Sequence, residues 1–318
     1  MNNTSSDSTI KIYLAPLQGF TDYSFRAAFS SLFGAPDAAY SPFIDTHDPD
    51  KRIFRDVLPE KITGYHLIPQ LLGNDAKEML TALNELILMG YKEVNLNLGC
   101  PYKMVTKKGM GAGLLPHPER IDRILSELFA NTACRISVKM RLGLTNNEDW
   151  KAIVPVLNRY PLNEVIIHAR TAAQMYKGDT NVEAFMEMAG RLTHSVCYNG
   201  NVFTLEQYRA LSAQMPFVSR WMLGRGIIAN PLLIQEIRTD EKATEQDIRI
   251  GLCKLHEQLI YLNSMRLSGS SHVLNKMKPY WEYFALSFKG KEKGLKKIKK
   301  SVTLDAYKSA CNEVFRGI

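Results

Sequence analysis

The 318-residue chain is 45% hydrophobic and 23% charged with a formal net charge of +8, a balance that excludes a disordered or collagen-like chain and fits a globular protein with a large core. Its longest apolar runs, such as residues 86–89 and 165–167, fall far short of the roughly 18 residues that span a bilayer. The polar start at residues 1–9 has no secretory signature, so a cytoplasmic protein is expected, with no membrane partner. Five scattered cysteines (Cys100, Cys134, Cys197, Cys253, Cys311) form no CxxC pair and have no histidine at metal spacing, which argues against a disulfide framework and against a metal site.

In chain order, short β-rich or apolar runs at 12–15, 38–41, 67–70, 94–98, 136–139, 165–168, 196–199 and 221–224 predict eight strands. Between them, segments with helical spacing and good helix formers lie at 21–33, 75–89, 118–130, 149–158, 182–192 and 205–215. Eight βα units in roughly 240 residues are the size of a (β/α)₈ barrel. A dinucleotide-binding doubly wound sheet would place a GxGxxG turn after the first strand, whereas this one ends in Ala15-Pro16. Gln70, Asn97, Lys139, His168, Asn199 and Gly224 each close a predicted strand, at the carboxyl ends where barrels build their sites.

After about Ile237 the strand pattern stops, and 245–267, 272–288 and 291–315 have helix-like apolar spacing. The expected organisation is therefore a flexible N-terminus at 1–10, a TIM barrel at 11–240 and a small all-helical C-terminal domain at 241–318. From Glu245 onward there are 14 basic and 7 acidic residues, so the tail holds +7 of the total +8. A nearly neutral body with a basic appendage points to a polyanionic partner.

The strongest local string runs from Asn95 to Pro101 and is followed by the glycines Gly109, Gly111 and Gly113. Cys100, just past a strand end and held by the next proline, sits in a Gly-rich loop able to approach a ligand, and a thiol with an ordinary pKa near ~8.5 suits a general acid. Lys139 and Arg141 stand at alternate positions, aimed to one side, and His168 with Arg170 and Thr171 repeats the arrangement after the sixth strand. Asn199-Gly200-Asn201 and Gly224-Arg225-Gly226 follow the seventh and eighth strands, where barrels commonly hold a phosphate, and a helix start is expected near Ala229-Asn230-Pro231.

Together these strings resemble the tRNA-dihydrouridine synthases. The resemblance runs from Ile12 to about Pro231 through Ala15-Pro16-Leu17, Thr21-Asp22, Gln70-Leu71, 95–101, 109–115, 138–143, 168–171 and 222–226, with Leu17, Ala169 and Asn201 standing where the family usually has Met, Gly and Asp. It implies FMN across the barrel mouth, with Pro16, Leu17, Gln70, Lys139 and His168 toward the ring and Asn199, Gly200, Asn201, Gly224 and Arg225 toward the phosphate. It further implies a target uridine oriented by Asn97, Arg141, His168 and Arg170, hydride transfer from reduced FMN to C6, a proton from Cys100 to C5, and NADPH as the electron donor. The basic helical tail, with Lys296, Lys297, Lys299 and Lys300, would bind tRNA, and the protein is taken as a monomer. Another FMN-dependent barrel acting on a small molecule, such as a dihydroorotate-dehydrogenase-like enzyme or an ene-reductase, is the alternative, but it leaves the basic tail unused.

Overall fold

A computed structural model describes residues 10–48, 50–59 and 64–316; the expected flexible N-terminus lies, apart from Ile10, outside the described residues. Ten parallel strands are present among them: β1 (Lys11–Leu14), β2 (Ala38–Tyr40), β3 (Ile44–Asp45), β4 (Leu67–Ile68), β5 (Gln70–Leu72), β6 (Glu93–Leu98), β7 (Arg135–Gly143), β8 (Val165–Thr171), β9 (Val196–Asn199) and β10 (Arg220–Leu223). Their order is β3-β5-β6-β7-β8-β9-β10-β1-β2-β4. The two ends of that order are joined through the chain, because β4 and β5 are one strand interrupted at Pro69, which has no N–H to donate to the ladder. The backbone N–H of Asn95 still donates to the Pro69 carbonyl at 2.9 Å, and β1 pairs with β10. The result is an eight-stranded barrel with its second and third strands each split in two, as the eight predicted runs require.

The barrel interior and the shell outside it are separate apolar clusters. Inside, Tyr13, Tyr40, Ile68, Ile166, Cys197 and Met222 pack together from β1, β2, β4, β8, β9 and β10. Outside, helices cover the sheet, and their starts follow the capping rule. Asp22, Asp75, Asn181 and Thr204 each accept a backbone N–H at the head of Tyr23–Phe33, Ala76–Leu88, Val182–Arg191 and Leu205–Gln214.

Three expectations change. β7, β8 and β5 run four, three and two residues beyond Lys139, His168 and Gln70, so none of these three side chains closes its strand. The eighth strand is followed by two helices, Arg225–Ala229 with Gly224 as its cap and Leu233–Thr239, the second starting just past the expected Ala229-Asn230-Pro231. The last tail segment is two helices, Glu292–Lys300 and Leu304–Phe315, because Ser301 and Val302 break it and Thr303 caps the second.

The C-terminal helices share the barrel's outer core: Leu252, Leu255, Tyr280, Phe284 and Tyr307 belong to the same buried cluster as Phe25 and Phe29. Phe25 stacks on Tyr280 with ring centroids 6.0 Å apart. Arg266 and Lys276 both pair with Asp22, at 3.1 and 2.8 Å, so the tail is bolted to the first βα loop. No helix among the described residues is long and apolar enough to cross a membrane.

Candidate active site

Parallel strands bring all carboxyl ends to one mouth, and strand register lines up the polar side chains. Asn97 lies opposite Lys139, Arg141 opposite His168, His168 opposite Asn199, and Asn199 opposite Met222. A cleft of about 960 Å³ opens there, and its walls include Pro16, Leu17, Asn97, Cys100, Lys139, Arg141, His168, Asn199, Gly200, Gly224 and Arg225. Gln70, Arg170 and Asn201 stand one hydrogen bond behind that wall, on Asn97, His168 and Arg225 respectively. Lys296, Lys297, Lys299 and Lys300 lie outside the cleft, exposed on the helix Glu292–Lys300, and Lys297 is paired with Glu313 at 2.7 Å.

A chain of amides fixes the Cys100 loop. Asn95 donates to Ser137 Oγ (3.0 Å), Gln70 donates to Asn95 Oδ1 (2.7 Å), and Asn97 donates to Gln70 Oε1 (2.8 Å). The Oδ1 of Asn97 then accepts the backbone N–H groups of Gly99 and Cys100, at 3.0 and 2.8 Å. Gln70 is fully buried and both ends of its amide are engaged, so it acts on the wall through Asn97. The following glycines serve close packing, not mobility. A Cβ on Gly111, whose φ is +55°, would sit 2.9 Å from Cys100 Cβ, and one on Gly113 would sit 2.5 Å from the Thr106 carbonyl. Burial pushes the Cys100 thiol above its usual value, which keeps it protonated at neutral pH.

The cysteine shares the cleft wall with a group of cations and no carboxylate. Lys139 donates to Asn199 Oδ1 at 2.8 Å, and Asn199 is oriented by donating to the Met222 carbonyl. Arg141 is pinned by the carbonyls of Gly99, Thr171 and Met175. Asn201 Oδ1 accepts from both Arg170 (3.0 Å) and Arg225 (2.8 Å), so a neutral amide bridges two guanidiniums. Burial, then the neighbouring Arg141, brings Lys139 down to about 7. Burial and the cations Arg141, Lys139, Arg170 and Arg225 hold His168 far below its usual value, as neutral imidazole. Such uncompensated buried charge fits an anionic ligand that contributes hydrogen-bond acceptors.

Sequence reading missed the aromatic walls. Phe20, Phe43, Tyr102, Tyr176, Phe203 and Tyr283 also line the cleft, and the Arg225 guanidinium lies 4.4 Å from the centroid of Tyr176. Tyr102 was within reach as the second residue after Cys100. Tyr283 was not, because it arrives from the tail, packed edge-on against Phe20 at 5.4 Å.

The fold resembles the old yellow enzyme homologue from Zymomonas mobilis, with a TM-score of 0.53 at 11% identity over 74% of this chain and 90% of that one. It also resembles morphinone reductase, with a TM-score of 0.51 at 13% identity over 74% and 87%. Among curated sequences, the tRNA-dihydrouridine(16) synthase of Cupriavidus necator is 27% identical over 82% of this chain and 84% of its own length. The protein of the same name from Neisseria meningitidis serogroup B is 30% identical over 73% and 72%. The family model for dihydrouridine synthase matches residues 13–315, and the chain belongs to the dihydrouridine synthase family.

Proposed function

We propose that this protein reduces the C5–C6 double bond of a uridine in tRNA to 5,6-dihydrouridine, using FMN that NADPH re-reduces. The observation that carries the reading is one cleft in which a protonated Cys100 thiol faces Lys139, Arg141 and neutral His168, with aromatic walls and no carboxylate. When bound, the flavin would supply the hydride for C6. Pro16, Leu17 and Lys139 would hold its ring, and the loops at Asn199–Asn201 and Gly224–Arg225 its phosphate, with Arg225 and the Arg170 behind it supplying the charge. Reduction builds negative charge on the uracil carbonyl side, where Arg141 and His168 donate or orient. Cys100 then gives its proton to C5, and Asn97 holds the cysteine in place through its two backbone N–H groups. A target base must leave its stack to enter, at a cost of a few kcal/mol, and phosphate contacts from the basic helices within 245–315 help supply it.

Mapping dihydrouridine in tRNA from cells with and without this protein tests the reading, and position 16, for which several relatives are named, is the first to inspect. Loss of one dihydrouridine supports it. An unchanged tRNA profile together with flavin-dependent reduction of a small enone would favour the small-molecule alternative, to which the fold likeness to morphinone reductase points.

A further inference from the structure

We propose that the turn immediately after the catalytic cysteine is a second RNA-docking surface, independent of the basic tail, whose Lys103, Lys107 and Lys108 hold the backbone phosphates flanking the extruded uridine. The proposal rests on the tRNA reading above. The segment from Gly99 to Pro116 contains these three lysines and no acidic residue. All three are exposed, and none has an ion pair among the described residues. Several other surface cations are neutralised locally, Lys151 by Glu148, Arg191 by Glu187, Arg209 by Asp240, Lys242 by Glu206 and Lys297 by Glu313, whereas these three share their lack of an ion pair with exposed lysines such as Lys296, Lys299 and Lys300 of the tail and differ from those in lying beside the cleft. A solubilising lysine gains from such pairing, whereas a phosphate-binding one must be free of it.

The turn is also a fixed platform. Its short helix Lys103–Thr106 is anchored by buried Val105, packed in one cluster with Cys100, Leu72 and Met110, and the Asn74 amide donates to the Lys108 carbonyl at 2.7 Å. Lys103 and Lys107 are one helical turn apart and share a face. Beside the lysines in the turn are Tyr102, 46% exposed and lining the cleft, and Met104, 78% exposed. An aromatic ring and a thioether beside unpaired cations suit a single-stranded RNA loop, in which bases stack on side chains while the backbone is neutralised. Three residues of chain span at most roughly 11 Å, so Lys103 is confined to the neighbourhood of the base that Cys100 protonates.

The test uses the full-length flavin-loaded protein and an unmodified tRNA transcript, with binding and dihydrouridine formation measured separately over a salt series. Lys103→Glu/Lys107→Glu/Lys108→Glu is expected to raise KM for tRNA at least tenfold and to lower the slope of log affinity against log salt by roughly one for each phosphate no longer neutralised, with flavin content equal to wild type. The triple Lys→Arg variant should bind within about twofold of wild type, because only charge is required. A triple Glu variant with wild-type slope and KM overturns the proposal, and so does loss of binding in the Arg variant. Wild-type protein that binds tRNA with a slope dependent on these lysines yet forms no dihydrouridine would overturn the functional reading and leave the docking surface standing.

Discussion

The two ends of the barrel are both polar and buried, and they differ in how their charge is met. At the base, where strands begin, Glu164 is 4% exposed and Glu93 7%, and each has a cation: Arg220 at 3.1 Å and Arg135 at 3.3 Å. Tyr13 and Tyr40 donate to the two oxygens of Glu164 and Asn163 donates to Glu93. At the mouth, Lys139, Arg141, Arg170 and Arg225 share only amides, carbonyls and rings. A self-satisfied buried network is structural; a surplus of one sign is a site waiting for its counter-charge.

The largest expected effect tests the mouth's chemistry. Cys100→Ala should keep its flavin and still be reduced by NADPH, yet form dihydrouridine about 10²- to 10⁴-fold more slowly, the ordinary contribution of a general acid. Single-turnover assays with tRNA check this, and an unaltered rate would make Cys100 a packing residue.

Next comes the tail. Replacing Lys296, Lys297, Lys299 and Lys300 by Glu should weaken tRNA binding and flatten its salt dependence by roughly one unit of slope for each phosphate left without its lysine. Lys297, already paired with Glu313, should contribute least, and its single variant isolates that share.

A smaller change probes the surplus directly. Arg225→Gln would remove one of the two guanidiniums that Asn201 bridges, the one on the wall of the phosphate end of the cleft. FMN affinity should fall roughly tenfold, about 1.4 kcal/mol, by fluorescence titration of the flavin-free protein, whereas Glu164→Gln at the base should leave it unaltered.

The smallest effect contrasts the two ends by pH. Burial lowers Lys139 to about 7, so between there and its ordinary range the unfolded chain binds more protons and stability rises with pH. Burial raises Glu164 to about 7, so below that the folded chain binds more protons and stability falls as pH rises from the usual carboxylate range. The two contributions give the flavin-free protein a stability minimum near neutrality, at roughly 2–4 °C of Tm per kcal/mol. Lys139→Met should remove the rise above neutral pH and Glu164→Gln the fall below it, in thermal melts across the range.

The eight strands and the residues of the mouth were legible because parallel strands repeat one pattern: an apolar run, then a polar residue at the carboxyl end. Charged residues that continue a strand broke that legibility. Arg141 and Arg170 read as strand exits, yet both are buried within β7 and β8 and bond to neighbouring carbonyls. Pro69 split a strand that reads as continuous. The glycines after Cys100 read as letting the loop approach a ligand, and the structure shows that they make close contacts within the loop. Tyr283 was illegible in principle, since tertiary contacts between the tail and the first βα unit, including Arg266 and Lys276 on Asp22 and Tyr280 on Phe25, bring it to the mouth.

The decisive experiment combines purified protein, NADPH and unmodified tRNA, followed by mass spectrometry of the digested RNA. One uridine should gain two hydrogens, with non-covalent FMN released by acid and the gain abolished or strongly slowed in Cys100→Ala. Flavin-bound protein that oxidises NADPH and leaves every uridine of a tRNA it binds unreduced would contradict the assignment of this mouth to uridine reduction.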